Sequence, residues 1–88
     1  MAYLVMERTF EEPLTDEELD RMMTRLNPCL EQYDVRWIRS YLSSTRRRMI
    51  CAFEAPDAEA VRIAYRTAGL PFESVWPADE VRPEREEA

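Results

Sequence analysis

Two stretches of this chain carry helix signals at their ends, and the remaining residues must be arranged around them. In "EEPLTDEELDRMMTRL" Thr15 takes an N-cap position with Glu18 three residues later. That is the spacing of a capping box, with Leu14 and Leu19 placed for a hydrophobic staple across it. Leu19, Met22, Met23 and Leu26 follow at i, i+3, i+4 and i+7, one apolar stripe. The Asn27-Pro28 step predicts the end of this helix, because the residue before a proline is pushed out of the helical region. The second stretch, "APDAEAVRIAYRTAG", tolerates Pro56 in its first turn and puts Asp57 where a carboxylate is favoured. Val61, Ala64, Tyr65 and Ala68 form its stripe, and Gly69 stands where a glycine ends a helix.

The segments around these helices read as strands. Residues 2 to 10 alternate Tyr3, Val5 and Glu7 against Leu4, Met6 and Arg8, with apolar side chains on both faces. "VRWIRSYLS" (35–43) is β-branched and aromatic, "STRRR" suits a hairpin, and a third strand runs from Arg48 to Glu54. "PFESVWPA" supplies a short fourth strand. The order β-α-β-β-α-β predicts an α+β, ferredoxin-like domain over residues 1–78, a four-stranded antiparallel sheet with two helices on one face. Residues 79–88, "DEVRPEREEA", are expected to form a charged, frayed tail carrying −3 of the charge, five acids against two arginines.

Strand parity sorts the side chains. The set most consistent with helix cover is Leu4, Met6, Ile38, Leu42, Met49, Cys51 and Phe53, with Ser40 its one polar member. The opposite face then carries Tyr3, Val5, Trp37, Ile50 and Ala52, together with Glu7, Arg39, Tyr41 and Glu54. Such a face is too apolar to stand bare in water and marks an interface or ligand groove. A homodimer pairing two such faces, a dimeric α/β-barrel-like assembly, would cover it. With 88 residues the core is near the size at which a partner subunit helps.

Composition removes several classes of function. The formal net charge of −6 opposes general nucleic-acid binding. All twelve basic residues are arginine, which reads as coding bias, and there is no histidine. Ser-His, Cys-His and histidine-based metal schemes are therefore excluded. No apolar run approaches the ~20 residues that span a bilayer. "MAYLVMERTF" has an acid by position 7 and no basic region before it, unlike a signal peptide. Two cysteines then suit a reducing, cytoplasmic compartment with free thiols. Cys51 falls on the core face, and two thiols without further soft ligands make a poor zinc site with Cys29. Met22, Met23 and Met49 read as core filler, and Arg46 to Arg48 as a solvated turn.

The runs "VMERTF", "LNPCLE", "VRWIRSYLS", "MICAFEAPDAEAVR" and "AGLPFESVWPA" resemble the domain-of-unknown-function family 4242 over roughly residues 3 to 78. The resemblance implies a ferredoxin-like fold, a dimer, and nickel, which a small relative binds. With no histidine to offer, the chain receives no metal ligands from it, and no cofactor is expected from the residues themselves.

The favoured reading is a non-enzymatic dimeric module holding a small molecule or ion on the open face. Glu7 and Glu54 would be acceptors, Arg39 a carboxylate or anion clamp, and Tyr41 and Trp37 aromatic contacts. The alternative is a cofactor-independent monooxygenase- or isomerase-like enzyme with Glu7 or Glu54 as base and Arg39 as electrostatic stabiliser. A third reading is a ligand-free structural dimer. An open cavity touching Glu7, Arg39 and Tyr41 favours the first two; a closed, fully paired interior favours the third.

Overall fold

The structure, a computed structural model, describes residues 1–84. Its elements are β1 (Ala2–Thr9), α1 (Asp16–Gln32), β2 (Arg36–Leu42), β3 (Arg48–Ala55), α2 (Ala58–Ala68) and β4 (Ser74–Pro77). The antiparallel sheet has the order β2-β3-β1-β4, and both helices pack on one face. This is the βαββαβ ferredoxin-like arrangement that the order of signals predicts. The last four residues of the expected tail, 85–88, lie outside the described residues.

The helix starts form as their signals require. Thr15 Oγ1 accepts from the Glu18 N–H at 3.1 Å, and Glu18 Oε1 accepts from the Thr15 N–H at 3.1 Å. Held by the Thr15 backbone N–H, the Glu18 carboxyl titrates below its usual range. Asp57 is the N-cap of α2, with Pro56 just outside rather than in the first turn. Gly69 closes α2 at φ 73, a left-handed conformation, and an added Cβ there would meet an Arg25 nitrogen at 3.0 Å.

The Asn27-Pro28 step does not end α1, which continues to Gln32 with Pro28 inside it. Leu26 and Leu30, one turn apart, are both buried, and only continued helix brings Leu30 onto the core. That burial is worth about 1.5–3 kcal/mol, against the ~3 kcal/mol typical of an interior proline. Pro28 itself is exposed, so its ring displaces no packed neighbour.

The core lies between sheet and helices around Leu4, Met6, Phe53 and Val61, with Met49 and Cys51 also buried. Tyr65 sits edge-on between Phe53 and Phe72, at centroid distances of 6.0 and 6.1 Å. The Arg46–Arg48 turn is more than a solvated hairpin. Arg46, at φ 64, donates to the Leu14 carbonyl and pairs with Asp16 at 2.6 Å, and its carbonyl accepts from the Leu14 N–H at 2.8 Å. The hairpin therefore fastens the loop that leads into α1.

Candidate functional site

The register arranges the open face in three rows across the sheet. One row is Arg36, Glu54 and Tyr3; the next is Arg39, Ala52, Val5 and Trp76; the third is Tyr41, Ile50, Glu7 and Ser74. The middle row forms the floor of a cavity of about 330 Å³ walled by Tyr3, Tyr41 and Trp76. Its far side is closed by residues 78–81. Ala78 donates to the Tyr3 carbonyl at 3.0 Å, extending the pairing beyond β4. The chain then turns over the sheet, and Glu80 Oε2 meets Arg39 Nη1 at 3.0 Å. β4 and β2 lie on opposite edges of the sheet, roughly 14 Å apart at the usual strand spacing. Arg82 also pairs with Glu80 at 3.0 Å. Hydrogen bonds from Arg82 and then Arg39 hold the Glu80 carboxyl below its usual range, and Glu80 raises Arg82 in return.

The residues singled out from the sequence fall into three groups. Arg39 and Tyr41 line the cavity. Glu7 and Glu54 are on the open face but in its outer rows, outside the cavity lining. Glu7 lies four positions along β1 from Tyr3, the partner of Glu54, so the two glutamates stand roughly 14 Å apart. Each has its own arginine: Glu54 pairs with Arg36 at 3.0 Å, and Glu7 with Arg48 at 3.6 Å.

Trp37 is not on the open face. A register shift between Trp37 and Arg39 inserts Ile38 as an extra residue, so Trp37 stands opposite Phe53 on the helix side. One inserted residue reverses the parity of everything before it. Trp37 donates through Nε1 to Ser40 Oγ at 2.8 Å and borders a groove with Pro28, Leu30 and Val35. The same shift moves Arg36 onto the open face. Trp76 takes the aromatic place expected of Trp37, and the alternation of Val75 (buried) with Trp76 (exposed) in "SVWP" was a signal that could have found it.

Arg8 was also missed. It is 4% exposed, beneath the helices. Nε donates to the Pro71 carbonyl at 2.9 Å and Nη1 approaches Met22 Sδ at 3.6 Å. The guanidinium lies 5.1 Å from the Phe10 ring centroid and 5.5 Å from that of Tyr65. Among the described residues no carboxylate pairs with it, and burial lowers its pKa. Cys51 is buried, as the parity predicts, and burial pushes its thiol up.

Three larger grooves lie on the helix side, one beside Trp37, one beside Phe10 and Met22, and one along Glu17, Asp20 and Arg21 of α1. Several of their polar side chains already serve the fold: Thr24 bonds the Asp20 carbonyl, Arg25 bonds the Ala68 carbonyl, and Glu18 closes the capping box. The open-face cavity, with one guanidinium among aromatic walls, is the better candidate site.

Among the described residues no three Cys, Asp or Glu side chains gather into a metal-binding group, and the chain has no histidine. This donor set does not fit a nickel ion held within one subunit. No helix among the described residues is long and apolar enough to cross a membrane.

No curated protein matches the chain. Among solved structures it is similar to that of SCO4226 from Streptomyces coelicolor A3(2), with a TM-score of 0.81 at 16% identity. The similarity covers 92% of this chain and 100% of that one, and at this identity it supports the fold. A family model described as nickel responsive protein SCO4226-like matches residues 3–78, from β1 through β4. The chain belongs to the SCO4226-like nickel responsive protein family.

Proposed function

We propose that this protein is a non-enzymatic, homodimeric binding module that holds a small molecule or ion on the open face of its sheet. The observation that carries the reading is the cavity in which Arg39 stands among Tyr3, Tyr41 and Trp76, on the face that the helices leave uncovered. A second copy suits the same face. Its middle row is apolar apart from Arg39, and each end carries an arginine–glutamate pair, Arg36–Glu54 at one and Arg48–Glu7 at the other. Such a surface is self-complementary about a two-fold axis through its middle row. The family's description makes nickel the natural ion to test. With no donor cluster among the described residues of one subunit, the untagged protein, never passed over a nickel column, is expected to hold less than one nickel or zinc per chain by elemental analysis.

Native mass spectrometry of untagged protein tests the rest. The expected species is a dimer, at twice the 10.5 kDa of one chain, retaining a small-molecule mass that Tyr41→Ala diminishes. A 10.5 kDa species at micromolar concentration overturns the dimer. Retention unchanged by Tyr41→Ala overturns the open-face site. The enzyme alternative has no observation of its own, since neither Glu7 nor Glu54 lines the cavity.

A further inference from the structure

We propose that Glu80 is a built-in competitor for Arg39, and that the open-face cavity takes a small aromatic carboxylate which displaces it. The inference rests on the open-face reading above and names the ligand class and the control of that site.

Glu80 already shows what Arg39 accepts: a carboxylate oxygen 3.0 Å from Nη1, approaching across the cavity. Arginine binds planar carboxylates through its fork of donors, so an incoming carboxylate competes for the same nitrogens. The residue that must give way is loosely held. Among the described residues the last backbone hydrogen bond of its segment is Ala78 to Tyr3, and beyond it Glu80 is fastened by the Arg39 and Arg82 side chains. With about a third of its side chain exposed, such a contact is weak and screened by salt. Exchange of one carboxylate for another leaves the charge on Arg39 satisfied throughout.

The rest of the cavity sets the other half of the ligand. Val5 and Ala52 give an apolar floor, and Tyr3, Tyr41 and Trp76 give aromatic walls. About 330 Å³ is the low end of small-molecule sites and suits a single-ring compound. Among the described residues Arg39 is the one cation of the lining, and Asp79 and Glu80 are its acids. One guanidinium among acids matches a monoanion and disfavours phosphates carrying two charges.

The test uses benzoate and its neutral isostere benzamide, titrated into the full-length protein and into its Glu80→Gln and Arg39→Gln variants. Affinity is read by calorimetry, and the site by backbone amide shifts at Tyr3, Ala52 and Trp76. Benzoate should bind about fivefold or more tightly after Glu80→Gln, the lower range of site-to-site coupling. It should weaken about tenfold or more after Arg39→Gln, as loss of a charge-assisted hydrogen bond predicts. Benzamide should respond to neither change. If Glu80→Gln leaves benzoate affinity unchanged, or if benzamide binds the face as well as benzoate, the competitor is refuted while the open-face site stands. If neither probe moves the face resonances in any of the three proteins, both readings fall.

Discussion

Arg8 and Arg39 lie on opposite faces of the same sheet, and the two faces handle a guanidinium in opposite ways. On the covered face Arg8 is sealed in with no counter-charge among the described residues, held by a carbonyl, a thioether and two aromatic rings. On the open face Arg39 is 42% exposed along its side chain and is satisfied by a carboxylate from the chain's far end. The first arrangement cannot exchange without unpacking α1 and α2; the second is the one that the proposed ligand would exchange with. What separates the faces is therefore less their polarity than whether each group's partner is built into the fold or sits on a loose segment.

The comparison breaks most easily at its hydrophobic centres. Phe53 is fully buried against Tyr65, so Phe53→Ala should cost about 3–5 kcal/mol in urea unfolding. Trp76, 43% exposed on the open face, should cost about 1 kcal/mol on the same change under dilute conditions. Equal losses would make the open face a second packed core and remove the contrast.

Arg8 comes next. Arg8→Ala opens a void and strands the Pro71 carbonyl, so a loss of about 2–3 kcal/mol is expected. Arg8→Met keeps the apolar stem and removes the desolvated charge, so it should stay within about 1 kcal/mol of the parent. A Met variant as damaged as the Ala variant would show that the guanidinium with its hydrogen bond, and not the packed stem, holds the loop at Pro71.

These outcomes bear on what could be read from the residues alone. The fold was legible because its signals are local: Thr15 with Glu18, Asp57, Gly69 and the alternation of Leu4, Met6, Cys51 and Phe53 all act within a few residues. The site was half legible. Arg39 and Tyr41 follow from parity counted on the C-terminal side of Ile38, whereas Trp37 lies before the bulge and parity fails there. Nothing in the β-branched character of Ile38 distinguishes an inserted residue from a paired one. Pro28 misled because a local preference was outweighed by the burial of Leu30. Arg8 was given no role beyond its place in the alternation and Glu80 was read as part of a frayed tail, because their partners lie 63 and 41 residues away.

Alkaline pH gives a smaller and graded contrast. Burial raises the pKa of Tyr65 and of Cys51 above their ordinary values of 10.0 and 9.0. A raised folded pKa means that the unfolded chain loses its proton first. The stabilisation from both groups is thus fully present below about pH 9 and is lost as pH rises toward the folded values. The urea midpoint should fall above pH 9, and Tyr65→Phe should flatten the part of that fall above pH 10. An identical slope in Tyr65→Phe would show that the phenol ionises without cost, and hence that the covered face admits water.

The smallest expected effect is the coupling between Arg36 and Glu54, 3.0 Å apart with side chains 73% and 40% exposed. A double-mutant cycle with Arg36→Gln and Glu54→Gln at low protein concentration should give less than about 1 kcal/mol, as for other surface pairs. The same cycle sharpens the comparison of the two faces when it is repeated at high concentration. If a second copy covers the open face, the pair loses water and its coupling should grow with protein concentration. A coupling that stays small across a range in which the mass doubles would place the dimer contact elsewhere and leave the open face to its ligand alone. Growth without a change in mass would point instead to the 78–82 segment as the group that dries the pair.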